Sequence, residues 1–237
     1  MLSKFVRFAT WAATVVFAVA SGVPPASAQA QAQGAQVHAE MTAPDALVKT
    51  VTLEVVDIIQ KDKDIQKGDR KKVIALIETR VLPHFNFQAM TSSAVGRNWD
   101  KASAEQKARL MDEFKTLLVR TYSSALSAYS NQKFDFRPLR AKPTDTDVTV
   151  NVRVLQSGTQ PVTIDYDMEK RPNGWKVWDV RVGGISLVVN YRTEFDNLVR
   201  EKGVDGLIKA LQVKNGSLDQ PAAAVATPAI PAGAQKK

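Results

Sequence analysis

The stretch DVTVNVRVLQSGTQPVTIDYDMEKRPNGWKVWDVRV, residues 147–182, decides the fold. Apolar and polar residues alternate through it. Val148, Val150, Val152 and Val154 share one face of a first segment. Val162, Ile164, Tyr166 and Met168 repeat the pattern after Ser157-Gly158. A period of two is the signature of a half-buried strand. Pro172-Asn173-Gly174 predicts a tight hairpin turn into a third segment, 175–182. Phe134 and Phe136 alternate upstream, and 185–189 is a further short apolar segment. These residues predict an antiparallel meander of about four strands.

On either side the period changes to that of a helix. Over 45–60, Asp45 stands as a predicted N-cap, and Leu47, Val48, Val51, Val55, Ile58 and Ile59 recur at helical spacing. A charged connector, 61–68, leads to a second stripe (Val73, Ile74, Ile77, Val81, Leu82) that Pro83 stops. Asn86 is placed to cap a short helix carrying Phe87 and Met90 and ending near Gly96. Ser103 and Gln106 form a capping box for the longest helix, with Leu110, Phe114, Leu117, Leu118, Thr121 and Ala125 on one face. Running to about residue 129, it would be about 40 Å long. After the strands come a helix over 191–201, a break at Gly203 and a shorter helix over 204–211. Segregated elements mean α+β: a helical layer packed on a twisted antiparallel sheet in a single domain.

The chain ends read differently. Lys4 and Arg7 precede an apolar run that Pro24-Pro25 breaks before Ala26-Ser27-Ala28, the pattern of a cleaved export signal over 1–28. A Gln/Ala-rich leader, 29–44, and an Ala/Pro-rich tail, 215–237, lack the apolar content to offset their ordering entropy. Residues 45–214 are the expected domain. The whole chain has 237 residues, 44% apolar and 24% charged, and a net charge of +8. The expected domain holds 28 basic and 22 acidic residues, a net of +6. These charges are dispersed, the densest run being Arg70-Lys71-Lys72. Solvated faces account for most of them; an exported protein does not meet nucleic acid, so anionic lipid heads or an acidic partner remain.

Catalytic chemistry has little to stand on. Without cysteine there is no disulfide, thiolate metal site, thiol nucleophile or lipidated cysteine. Of two histidines, His38 lies in the leader and His84 follows Pro83 as an expected packing residue, so no metal site is predicted. No phosphate-binding glycine loop or nucleophile elbow is present. Gly183-Gly184-Ile185-Ser186 reads as a bend after a strand. Asp165 and Asp167 fall on the strand face opposite Ile164 and Tyr166 and are expected to meet solvent. Asp179 shares a strand with Trp175 and Val177. If those face inward so does Asp179, which then needs a hydrogen-bonded or charged partner, with Arg181 and Arg192 as candidates for an ion pair, or else it acts as a catalytic acid.

The last third also carries a resemblance. Trp175-Lys176-Val177-Trp178-Asp179-Val180 is followed by Gly184-Ile185-Ser186-Leu187, then Asn190-Tyr191-Arg192 and Phe195, then Gly203 with Leu207-Ile208 and Leu211. Upstream, Val95-Gly96-Arg97-Asn98-Trp99 and the helix with Glu105-Gln106, Phe114, Leu117-Leu118 and Tyr122 agree. Over about 45–213 this order resembles the MlaC family, the toluene-tolerance auxiliary proteins. Val95 stands where the family has leucine, and Trp178 where it often has tyrosine.

The resemblance implies a periplasmic phospholipid-binding protein, not an enzyme, with bound phospholipid as cargo and no cofactor. Its members carry lipid between an outer-membrane lipoprotein–porin complex and an inner-membrane ABC transporter complex with its membrane-anchored substrate-binding subunit, and so maintain outer-membrane lipid asymmetry. They hold acyl chains in an apolar cavity between helices and sheet. Two chains of about 15 methylenes each, at ~0.8 kcal/mol per methylene, face about 24 kcal/mol in water, which such a cavity removes. The expected liners are Leu118, Tyr122 and Leu126 on the long helix, Val150, Val152, Ile164, Tyr166, Val177 and Val180 on the strands, and Leu187. Gly96, Trp99, Trp175, Asp179, Gly184, Ser186, Asn190, Tyr191, Arg192 and Phe195 carry the motif as structural positions. Tyr191 and Arg192 either stand at the cavity mouth or brace the last helices. A periplasmic chaperone-like binding protein and a small pocket enzyme using Asp179 are the alternatives.

Overall fold

Short polar side chains start most of the helices. In the computed structural model, described for residues 43–218 apart from 128 and 130, α1 spans Pro44–Lys61. Pro44 supplies its first turn, where the missing N–H is harmless. The N-cap position falls to Ala43, and Asp45, the expected cap, sits within the first turn, accepting from the Ala46 N–H. The charged connector contains a helical turn, α2 (Lys63–Gln66). The Asp62 carboxylate accepts from the N–H groups of Asp64 and Ile65, and Ile65 is buried. Asp69 caps α3 (Arg70–Leu76), which continues as a π-helical turn, Ile77–Val81, and a 3₁₀ turn, Leu82–His84, around Pro83. Asn86 caps α4 (Phe87–Val95) by accepting from Ala89 N–H. Gly96 ends α4 at φ 60°, a conformation that side chains resist.

The Ser103–Gln106 box is made in both directions, at 3.2 and 3.0 Å, and opens α5 (Ala104–Ser127). Its 24 residues extend about 36 Å. The final helix, α6 (Arg192–Leu218), breaks at Gly203, φ 69°. It runs past the expected start of the tail. Asn215 is buried and donates to the carbonyl and carboxylate of Glu113, and Arg70 donates to the Leu218 carbonyl. The expected signal, 1–28, and most of the leader and tail lie outside the described residues.

The meander has five strands where about four were expected. Their order is β1 (Lys133–Phe136), β2 (Asp147–Leu155), β3 (Val162–Arg171), β4 (Gly174–Val182) and β5 (Ile185–Ser186), each antiparallel to the next. The extra strand is the two-residue β5, too short to show a period. Val182 pairs with Ile185 across Gly183-Gly184, both with positive φ. Two such residues in a row suit glycine.

Buried apolar residues fall into three clusters. One joins α4, α5 and α6 through Met90, Leu110, Phe114, Leu117, Phe195 and Leu207. A second joins α1, α2 and α3 through Val55, Ile59, Ile65 and Val73, with Val119 of α5. The third is the apolar face of the sheet, under Leu47 and Val48 of α1 and Phe85.

Candidate functional site

Cross-strand register arranges the apolar face of the sheet in rows. Val148, Met168 and Val177 form one; Val150, Tyr166 and Val180 the next. Phe136, Val152, Ile164, Val182 and Ile185 form a third, and Phe134, Val154 and Val162 a fourth. The first two rows belong to the sheet cluster, as do Val152, Phe134 and Phe136. Among the described residues, no apolar cluster includes Val154, Val162, Ile164, Val182 or Ile185. Val162 and Ile185 are 38% and 40% exposed, and nearby Val189 is 38% exposed. One end of the apolar face is packed beneath helices, and the other is open.

Aromatic rings border the open part. Tyr129 stacks on Phe134 at 6.2 Å, and Phe134 on Phe136 at 6.2 Å. Gln60 of α1 donates to the Tyr129 hydroxyl. Tyr166 lies between Val150 and Val180, and burial pushes its phenol up to about 12.

A β-bulge sets which side chains of β4 face this surface. Met168 pairs with Val177 and Asp167 with Asp179, so Trp178 is the extra residue. Val177 and Val180 therefore share the apolar face although they are three apart. Asp179 turns to the opposite face, with Asp165 and Asp167. This corrects the strand face that strict alternation gave it, although Asp179 is buried all the same, at 3% exposed. The partner is also corrected. Asp179 accepts from the Ser186 hydroxyl at 2.6 Å and from the Val180 N–H at 2.7 Å, and among the described residues no arginine pairs with it. Burial raises its pKa, with the nearby Asp167 charge adding to the shift, while the Ser186 and Val180 hydrogen bonds oppose it.

Asp165 and Asp167 occupy the expected face but are bonded into a ladder. Asn151 donates to Asp165 at 2.5 Å, and Thr149 and Arg181 donate to Asp167 at 2.7 and 2.8 Å. Their side chains are largely covered as a result, where open solvent was expected.

The expected liners do not converge on one cluster. Leu118 and Tyr122 sit in the α4–α5–α6 cluster, and Leu126 packs on the α1–α2–α3 cluster. Val150, Val152, Tyr166, Val177 and Val180 belong to the sheet. Ile164 and Leu187 are half-buried; Ile164 faces the open end, and Leu187 N–H donates to Val180. Val154, Val162, Val182 and Ile185 were not among the expected liners, although they share the open end with Ile164. The alternation reached Val154 and Val162, but only register puts them beside Ile164.

The motif residues form a clasp. Arg192 donates twice to the Ser93 carbonyl, at 3.0 and 2.8 Å, over Gly96. Tyr191, Phe195 and Phe114 pack as an aromatic trio with centroids 5.4–5.5 Å apart. Burial raises the pKa of both Tyr122 and Tyr191, and the neighbouring Tyr122 phenol adds to the rise at Tyr191. Ser186 also accepts from the N–H groups of Val188 and Val189. Trp99 packs on the helical cluster under Lys107, and Trp175 on the sheet cluster. Gly184 occupies the β4–β5 turn, and Asn190 is exposed. Tyr191 and Arg192 thus brace the last helix.

His84 is half-buried, and burial lowers its pKa. Among the described residues, no group of three metal-ligating side chains gathers, and no helix is long and apolar enough to cross a membrane.

Comparison with known proteins agrees with this architecture. The intermembrane phospholipid transport system binding protein MlaC of Haemophilus influenzae is 24% identical over 174 residues, 72% of this chain and 81% of the relative. The toluene tolerance protein ttg2D of Pseudomonas putida is 24% identical over 163 residues, 68% of this chain and 75% of the relative. A phospholipid-binding protein from Ralstonia solanacearum, solved in complex with a phospholipid, superposes with a TM-score of 0.70 at 38% identity, covering 74% of this chain and 98% of that one. The profile of the family described as MlaC protein matches residues 49–213, and the chain belongs to that family.

Proposed function

We propose that this protein is a periplasmic phospholipid carrier. In this reading it takes lipid between an outer-membrane lipoprotein–porin complex and an inner-membrane ABC transporter complex, and so maintains outer-membrane lipid asymmetry. One observation carries it: an apolar sheet face continuous from a helix-covered end to an open end at Val154, Val162, Ile164, Val182 and Ile185. A protein that only needed a core would cover those side chains. An acyl chain laid along the face removes them and its own methylenes from water, at about 0.8 kcal/mol per methylene. The phospholipid in the Ralstonia solanacearum relative supports the same ligand class. The expected export signal over 1–28 supports the compartment.

Transfer of this kind breaks no bond and needs no catalytic group. Asp179, the residue an enzyme would use, is held by Ser186 and the Val180 N–H on the face away from the apolar surface.

The test is lipid extraction from the purified mature protein followed by mass spectrometry. Phospholipid is expected at a fixed stoichiometry. Ile164→Asp should lower retained lipid about tenfold or more, since a carboxylate against an acyl chain costs several kcal/mol. The same change should alter stability by less than about 1 kcal/mol, because the site is half-open. Absence of co-purified phospholipid, with no uptake from vesicles, overturns the reading. Preferential binding of unfolded polypeptide over lipid in a competition assay would favour a chaperone-like role.

A further inference from the structure

On the helical side of the molecule, away from the sheet, lies a cleft of about 420 Å³ between the 3₁₀ turn Gly96–Asn98 and α6. Arg97, Lys101 and Arg200 bring three cations to it, and Asp196 is its one carboxylate. Asp196 accepts from Arg97 Nε at 3.2 Å and Nη2 at 3.1 and 2.9 Å, from Arg200 Nη2 at 2.6 Å and from Asn98 Nδ2 at 2.9 Å. These donors hold its carboxyl well below the usual range, at about 2. Lys101 Nζ donates to the Asn98 side-chain carbonyl at 3.2 Å.

One anion thus organises two guanidiniums without neutralising the group, which keeps a net charge of +2. Arg97 turns its Nε–Nη2 edge to Asp196, so its Nη1 is left for another acceptor; Arg200 engages through Nη2 alone. Both side chains are mostly exposed, at 72% and 66%. Val199 and Val204 supply an apolar wall.

We propose that this cleft is a docking site for a protruding acidic segment of a protein partner. Charge complementarity sets the sign of the occupant. Arg97 Nη1 and the Arg200 donors that Asp196 does not engage suit a second carboxylate, which they meet in charge-assisted fashion. Shape sets the class. A concave cleft admits a projecting Asp or Glu side chain, whose methylenes meet Val199 and Val204, and a flat membrane does not enter it. None of the lining residues packs in the sheet cluster.

The test is NMR titration of the full mature chain with tetraglutamate peptide, with inorganic phosphate and with phosphatidylglycerol vesicles in parallel. Saturable shifts of the Gly203 and Val204 amides are expected with the peptide, at a Kd of about 1 mM and weakening with salt. Arg97→Gln with Lys101→Gln should weaken peptide binding about tenfold while retained phospholipid is unchanged. Asp196→Asn, which removes the competing internal carboxylate, should tighten it several-fold. The tightening separates docking from mere loss of fold, since a damaged cleft would bind less. No saturable shift up to about 10 mM peptide overturns the proposal. So does weaker binding by Asp196→Asn, or tighter binding of phosphate or of vesicles than of peptide at these amides.

Discussion

Replacing Ser186 with alanine removes one oxygen that serves three groups. It donates to the Asp179 carboxylate at 2.6 Å and accepts from the N–H groups of Val188 at 3.1 Å and Val189 at 2.8 Å. Water reaches the exposed Val189, but Val188 is fully buried and Asp179 is 3% exposed. A hydrogen bond to a charged group contributes about 1.5–3 kcal/mol, and an orphaned buried N–H costs about 1–3 kcal/mol. Together they put the loss for Ser186→Ala at about 2.5–6 kcal/mol, on the order of 10 °C in Tm for a domain of this size.

The loss should depend on pH. Burial already raises the folded pKa of Asp179 above its unfolded value, and the Ser186 hydroxyl opposes that rise. Without the hydroxyl the folded pKa climbs further. The charged carboxylate therefore weakens the variant most above that pKa, and protonation relieves it as pH falls toward the unfolded value. Urea titrations followed by tryptophan fluorescence at about pH 7.5 and about pH 4.5 measure both effects. The deficit should shrink at the lower pH, leaving the Val188 part. In an Asp179→Asn background Ser186→Ala should cost only that remainder. A deficit below about 1 kcal/mol, or one equal at both pH values, refutes the argument.

Gly96→Ala should destabilise by about 1–2 kcal/mol through its positive φ, since the added Cβ meets the Arg192 side chain only at ordinary contact distance, 3.7 Å; urea titration checks it. Phe114→Ala should remove about 3–5 kcal/mol, because Tyr191 and Phe195 both pack edge-on against its fully buried ring. Asp196 is held at about 2 in the folded state, so its contribution is present above its ordinary pKa and lost as pH falls through about 2. Acid denaturation of Asp196→Asn should accordingly lack that part of the slope between about pH 4 and pH 2.

The sequence by itself determined the elements and most of their ends. Alternation at 148–154 and 162–168 became β2 and β3, Asn86 and the Ser103–Gln106 box became real caps, and Gly203 became a real break. These features are local, set by period, backbone freedom or one side chain reaching its own helix end, and local rules read them. The motif also marked Ser186, Tyr191 and Arg192, with bracing of the last helices as one of two readings for the latter pair, though not the atoms they hold, the Ser93 carbonyl and the Asp179 carboxylate. The tertiary structure decided which side chains share a surface. One extra residue at Trp178 sent Asp179 to the polar face and kept Val180 on the apolar one, because a single insertion inverts every later side chain of a strand. Register then joined Val154 and Val162, Ile164 and Val182, and Ile185 into one open end, although nearly thirty residues separate Val154 from Val182. Whether an apolar strand face is covered depends on where α1 and α5 come to rest. That is a balance of many weak packing contacts between distant segments, and no local pattern encodes it.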